Sequence, residues 1–199
     1  MRDIHNRGHE IAHHSYTHQN PAEQSLDEEE QDMVKAIEAI KSITGKKPKG
    51  YRSPASDFSD NTLNLLEKHG FIWESSMLGN DFYLYHPAKT TFGNEKLNLV
   101  EIPFAWELDD APHFLFNFFP KYLAGMGDPD KVLRIWKSEF EGAYESNGYL
   151  TVCMHPQITG KYHRTKMLEE FIRFIISHDN VEFNTCSESV QSFLDKDIM

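Results

Sequence analysis

Apolar residues along the chain recur with two different periods, and the switches between them predict alternating helices and strands. Met33, Ile37, Ile40 and Ile43 share one helical face. That helix opens after Ser25 with Glu28, Glu29 and Glu30 in its first turns, where the macrodipole favours negative charge, and it stops at Gly45. Leu63, Leu65 and Leu66 predict a second helix over 60–69 with Gly70 as its stop. Further helices are expected over 130–146, 166–178 and 187–194, and a short one over 3–7 ends at Gly8. Extended stretches are expected at 9–13, 48–54, 71–73, 98–105, 149–154 and 181–183. Strands alternating with helices are the signature of βαβ units, so the expected class is α/β with a parallel sheet or barrel. Residues 76–127 are the exception, being long, aromatic and poorly periodic apart from the strand at 98–105, and such segments often carry substrate contacts.

Composition narrows this picture. The 199 residues are 39% hydrophobic and 26% charged, without a repeat, linker or composition break, and a single domain over 1–199 is expected. The formal net charge is −11, which argues against nucleic acid or an anionic membrane as partner. A homo-oligomer is compatible with it. No run approaches the roughly 20 apolar residues of a membrane span, and the first residues lack the apolar core of a signal peptide, so the chain reads as cytoplasmic. Two cysteines, Cys153 and Cys186, give no disulfide framework and read as buried thiols.

Histidine is the unusual residue: of eleven, five stand at positions 5, 9, 13, 14 and 18. His9-Glu-Ile-Ala-His13 matches the two-His-plus-Glu pattern of zinc peptidases. Gly8 directly before it, the absence of a third His at the spacing of related peptidases and the break at Asn20-Pro21 all weaken the helix that pattern needs. His14 and His18 bracket Ser-Tyr-Thr. Fully extended they would stand about 13 Å apart, too far for one ion, and the intervening loop residues supply the turn that brings them together. Both are candidate metal ligands, whereas His5, His9 and His13 read as ordinary helix or strand histidines. Downstream, Arg52 in Tyr-Arg-Ser-Pro leaves a short strand, where a guanidinium can hold a carboxylate ionised and oriented. His155 emerges from an apolar stretch and is fixed by Pro156, a position where parallel α/β scaffolds place general acids.

His-Ser-Tyr-Thr-His at 14–18, Tyr-Arg-Ser-Pro at 51–54 and Met-His-Pro-Gln at 154–157, in that order, resemble the polysaccharide deacetylase family, the NodB-homology or carbohydrate esterase family four group. Gly8-His-Glu-Ile, Glu74-Ser-Ser-Met-Leu-Gly-Asn-Asp81, Val100-Glu-Ile-Pro103, Leu108-Asp-Asp110, and Gly160 with His163-Arg164 are similar to the branch holding peptidoglycan deacetylases and allantoinase-like or cyclic-imidase-like enzymes. The resemblance implies a distorted (β/α) barrel and metal-assisted hydrolysis of a non-peptide amide, foremost N-deacetylation of a polysaccharide or amino sugar. By it, His14 and His18 hold a divalent metal, zinc first with nickel or cobalt as alternatives. His155 is the general acid and Arg52 orients the catalytic carboxylate. Trp106, Asp109, Asp110 and Pro54 line the substrate cleft. The expected partner is a carbohydrate or a small cyclic amide.

The family also carries, upstream of its His pair, a strand ending in Asp-Asp that supplies the catalytic base and a third metal ligand. No such strand precedes His14, and 199 residues fall short of the roughly 250 of a complete barrel. The expectation is therefore an incomplete barrel lacking its first strand or strands, whose lost start could have included an export signal. Beside the deacetylase stand an allantoinase-like or cyclic-imide amidohydrolase, an inactive truncated carbohydrate-binding homologue, and a zincin-like peptidase.

Overall fold

The structure, a computed structural model, describes residues 1–79, 81–89, 95–118, 121 and 126–197. Residues 80, 90–94, 119, 120 and 122–125, all within the aromatic segment, lie outside it, and with them Asn80 of the stretch that begins at Glu74. The chain divides into two compact units.

The first unit comprises Met1–Met77, Leu84–Pro103 and Asn184–Met199. Helix α1 (Arg2–Asn6) ends just before Gly8, whose φ of 88° suits only a residue without a Cβ. Residues 9–12 then run without regular structure into His13, which bridges Tyr51 in parallel. Helix α2 (Leu26–Thr44) is framed as its sequence demands: Ser25 and Glu28 form a reciprocal capping box, a feature contributing about 1 kcal/mol, and Gly45 closes it in the left-handed conformation. Helix α3 (Thr62–Lys68) follows strand β1 (Gly50–Tyr51). Strands β2 (Trp73–Glu74) and β3 (Val100–Glu101) complete a parallel sheet in the order β1-β2-β3. Gly50 lies opposite Trp73, and the indole occupies the space a Cβ would need. Met33 and Ile37 of α2 pack with Tyr51, Leu65, Leu66, Phe71, Leu97 and Leu99 as the core of this unit.

The second unit comprises Leu78–Tyr83 and Phe104–Phe183. A single 3-10 turn (Trp106–Leu108) leads into helix α4 (Asp110–Phe114), and helices α5 (Pro129–Glu145), α6 (Pro156–Thr159) and α7 (Tyr162–Ile176) follow. Trp136 of α5 and Phe171 of α7 centre its core, their rings 5.5 Å apart. The last helix, α8 (Cys186–Asp197), returns the chain to the first unit.

Alternating elements and parallel pairing agree with the α/β expectation, and several local expectations are corrected, among them the extended stretch at 9–13, of which only His13 forms a bridge. Residues 149–154 form no ladder. The stretch keeps one bridge, Cys153 with Asp109, because its neighbours there are a 3-10 turn and a helix cap rather than an extended strand. Residues 181–183 follow Asn180 at positive φ and pair with no strand among the described residues, and Phe183 is exposed. Helix α4, unforeseen in the aperiodic segment, is started by Asp109, whose carboxylate accepts the Ala111 N–H at 2.7 Å. Neither cysteine forms a disulfide, and both are half-buried rather than fully so. Among the described residues no helix is long and apolar enough to cross a membrane.

Candidate active site

In the first unit the loop after His13 turns sharply, with Ser15 and His18 both at positive φ. The turn brings the imidazoles of His14 and His18 to 4.9 Å between ring centroids, edge to face, against the 13 Å or so of an extended chain. One side chain holds the turn. Asp32 of α2 accepts the Ser15 hydroxyl and the Tyr16 N–H through Oδ2, and the Thr17 N–H and hydroxyl through Oδ1, at 2.7–2.9 Å. Burial works to raise the pKa of this carboxyl, but the hydrogen bonds from Thr17, Tyr16 and Ser15 prevail and hold it below the usual carboxylate value. Sequence reasoning missed Asp32. A signal existed, because Glu29, Asp32, Ala36 and Ile40 continue the buried stripe of α2, so two acids stand where apolar residues are expected.

His14 Nδ1 lies 2.7 Å from the Arg52 carbonyl oxygen, which as a pure acceptor fixes the proton on Nδ1 and the basic lone pair on Nε2. A ring nitrogen donating to a backbone carbonyl is the usual companion of a metal-binding imidazole. The His14 and His18 pair, both exposed, fits a divalent cation by this measure. His13 is the opposite case. It is buried, accepts the Ser15 N–H at Nδ1, lies 3.1 Å from the Met33 carbonyl at Nε2, and burial lowers its pKa to about 4. Glu10 receives the Trp73 indole N–H and the Ser187 N–H and hydroxyl. With 9–13 non-helical, His13 buried and Glu10 engaged, the peptidase pattern is corrected to a structural segment.

Arg52 donates from Nη2 to the Ser75 hydroxyl at 2.7 Å, and Ser75 donates onward to the Ile102 carbonyl. Its charge is felt by Glu101, a β3 carboxyl buried beside Glu74 of β2. Burial and the neighbouring Glu74 push the pKa of Glu101 well above the usual range. Pro54 does not line an open surface: it is buried, and its ring starts the turn at 54–56 that ends β1's exit.

In the second unit His155 caps α6 with Pro156 at the first helical position. Its Nδ1 is 2.6 Å from Asp110 Oδ1, while Oδ2 of the same carboxylate accepts the His155 N–H at 2.9 Å and the Thr159 hydroxyl at 2.5 Å. Asp110 is fully buried. That burial tends to raise its pKa, yet the bonds from His155 and Thr159 bring it below the ordinary value. Its place is therefore behind the imidazole, correcting the expectation that it lines the cleft. Asp109 is also buried, with one ligand atom each of Asp109, Cys153 and His155 lying within 4.8 Å of one another. Trp106 is 43% exposed and packs edge to face on Phe104 at 4.9 Å, so an apolar ring face is offered at this end of the unit. Arg164 is buried, bonds the Ile158 carbonyl at 3.0 Å and stacks over Phe114, joining α6, α7 and α4.

Comparison with known proteins bears on the family and the fold. The family model described as polysaccharide deacetylase matches residues 1–72. The chain is 32% identical to the peptidoglycan deacetylase of Helicobacter pylori over 98% of its own length and 73% of that protein's. A crystal structure from Mycobacterium smegmatis, of a protein assigned to the polysaccharide deacetylases, superposes with a TM-score of 0.89 at 28% identity and covers 98% of this chain. The PuuE allantoinase structure follows at a TM-score of 0.81 and 22% identity, a likeness of fold, also over 98% of this chain. The chain spans 66% and 62% of those two structures. Likeness over nearly the whole of this chain, at 32% identity to a peptidoglycan deacetylase and with the fold in common, places the chain in the polysaccharide deacetylase family.

Proposed function

We propose that this chain belongs to a metal-dependent hydrolase of non-peptide carbon–nitrogen bonds that removes N-acetyl groups from a peptidoglycan-type amino sugar. The observation that carries the reading is the His14 and His18 pair, folded to 4.9 Å by a buried aspartate and with His14 oriented by a backbone carbonyl. Identity favours an amino-sugar amide over a cyclic one, because the peptidoglycan deacetylase is 32% identical and the allantoinase shares fold alone.

In this reading His14 and His18 hold a divalent cation, zinc first and nickel or cobalt as alternatives. Such a cation supplies polarisation of the amide carbonyl and a water of lowered pKa. His155, its ring fixed by Asp110, gives a proton to the departing nitrogen, a contribution of about 10²–10⁴ in rate. Arg52 orients the ionised groups near it, Trp106 offers its ring face to the sugar, and Asp109 adds an acceptor beside His155.

The test is acetate release from N-acetylated peptidoglycan with zinc, nickel or cobalt present, beside opening of a cyclic imide. His14→Ala and His18→Ala should each abolish acetate release, and His155→Ala should lower kcat by at least about 10²-fold. Imide opening without acetate release would move the assignment to a cyclic amidohydrolase. Glycan binding without either reaction would make the chain a binding homologue.

A further inference from the structure

Asp109, Cys153 and His155 meet on one side of the second unit for a reason visible in the backbone. Cys153 donates its N–H to the Leu108 carbonyl at 2.9 Å, and Asp110 donates to the Cys153 carbonyl at 3.1 Å, so residues 109 and 153 lie side by side as parallel-bridge partners. His155 stands two residues beyond Cys153, the spacing at which an extended segment returns to the same face. The three side chains bring a carboxylate oxygen, a sulfur and an imidazole nitrogen within 4.8 Å of one another.

From this geometry we infer a second cation site, made of Asp109, Cys153 and His155, that takes a thiophilic divalent ion such as zinc or cadmium. Its ligand set contains neither His14 nor His18. The donor types fit: thiolate, imidazole and carboxylate together suit zinc-group ions, and three protein ligands leave the fourth tetrahedral position to water. Ligand atoms around one tetrahedral zinc sit roughly 3.5 Å apart, so the group closes inward by about an ångström as the ion enters. The supporting contacts are in place. Asp109 already gives Oδ1 to the Ala111 N–H, and Asp110 grips His155 Nδ1, the carboxylate backing that metal-bound imidazoles usually have. Coordination then falls to His155 Nε2. Entry of the ion displaces the Cys153 proton to solvent and leaves no redox change at sulfur.

Binding at this site does not depend on the reaction proposed above. Its consequence does: an ion here occupies the nitrogen assigned to proton delivery, so excess zinc inhibits, as opposed to the activating ion at His14 and His18.

Cadmium alone, titrated into the full chain carrying His14→Ala and His18→Ala, tests the site by its thiolate charge-transfer absorption. A band saturating at one equivalent, displaced by zinc, is expected. Cys153→Ser in that background should abolish it, Cys186→Ser should leave it, and His155→Ala should weaken cadmium affinity by at least about tenfold. No band in the parent chain, or a band that survives Cys153→Ser or vanishes with Cys186→Ser, overturns the inference. Circular dichroism of each variant checks folding, and since Cys153 is only half-buried and its replacement is isosteric, that comparison decides the matter. The outcome is independent of whether acetate is released, so failure of the site and failure of the deacetylase reading are separately visible.

Discussion

Asp110 shows how much one carboxylate can fix. It is fully buried and its carboxylate accepts bonds from His155 at both the backbone and the ring, and a third from Thr159, so two of these three bonds place one imidazole. Replacing it by Asn retains shape and one acceptor but sets an amide against the ring nitrogen, which disfavours the Nδ1–H tautomer. Asp110→Asn should lower kcat by about 10²-fold with KM near its original value, measured in the acetate-release assay under saturating glycan. A change confined to KM would assign Asp110 to substrate binding instead. The sequence reading found this residue for the wrong reason. The family resemblance placed both aspartates in the cleft, and their inward direction follows from Asp109 capping α4, a helix whose five residues leave no periodicity to read.

Helix α2 illustrates the next scale, because its three consecutive glutamates and Asp32 have separate duties. Glu28 closes the capping box, Glu29 is buried and accepts the Ser59 and Thr62 hydroxyls at 2.5 and 2.6 Å, and Glu30 pairs with Lys68 and His69. Asp32 ties the helix to the loop 15–17. Asp32→Asn should cost about 2–3 kcal/mol in urea unfolding, the range for losing charged hydrogen bonds, and should weaken metal binding at His14 and His18. The pH sign follows from its depressed folded pKa: the unfolded chain binds the proton first, so this stabilisation is complete above the ordinary carboxylate pKa and is lost as pH falls through the lower folded value. Asp32→Asn removes that acid-side loss. The sheet carries the reverse case. Glu74 and Glu101 are register partners, both fully buried, and a proton kept by Glu101 gives one Glu74 oxygen a hydrogen-bond partner. Here the folded chain holds a proton the unfolded chain releases near pH 4.3, so stability falls as pH rises from there toward the raised folded pKa. Glu101→Gln, which supplies an N–H donor without a titrating proton, should flatten that fall in urea midpoints measured between pH 5 and about 8.

For the molecule as a whole, the sequence determined the longer helices such as α2 and α5, with α2's start and stop, and the parallel pairing of the strands, but not the short helices α4 and α6. Those features rest on local chemistry: Ser25 and Glu28 at one helix end, Gly45 and Gly70 at positive φ at others, and Met33 and Ile37 recurring along one face. It also determined the family, because three short motifs in fixed order survive as residue identities whatever surrounds them. Tertiary structure alone decided the rest. It made Pro54 and His13 buried, gave Glu10 to Trp73 and Ser187, and left residues 149–154 with a single bridge in place of a strand. It also set Asp32 behind the histidine loop, and it brought Asp109, Cys153 and His155 within reach of one ion. Apart from Cys153 and His155, these join residues from 15 to 177 positions apart, where a side chain's partner depends on how the elements pack. Capping and periodicity act within a few residues and so can be read along the chain. The direction of a buried carboxylate is chosen by whichever donors the fold delivers to it, and no local pattern encodes that choice.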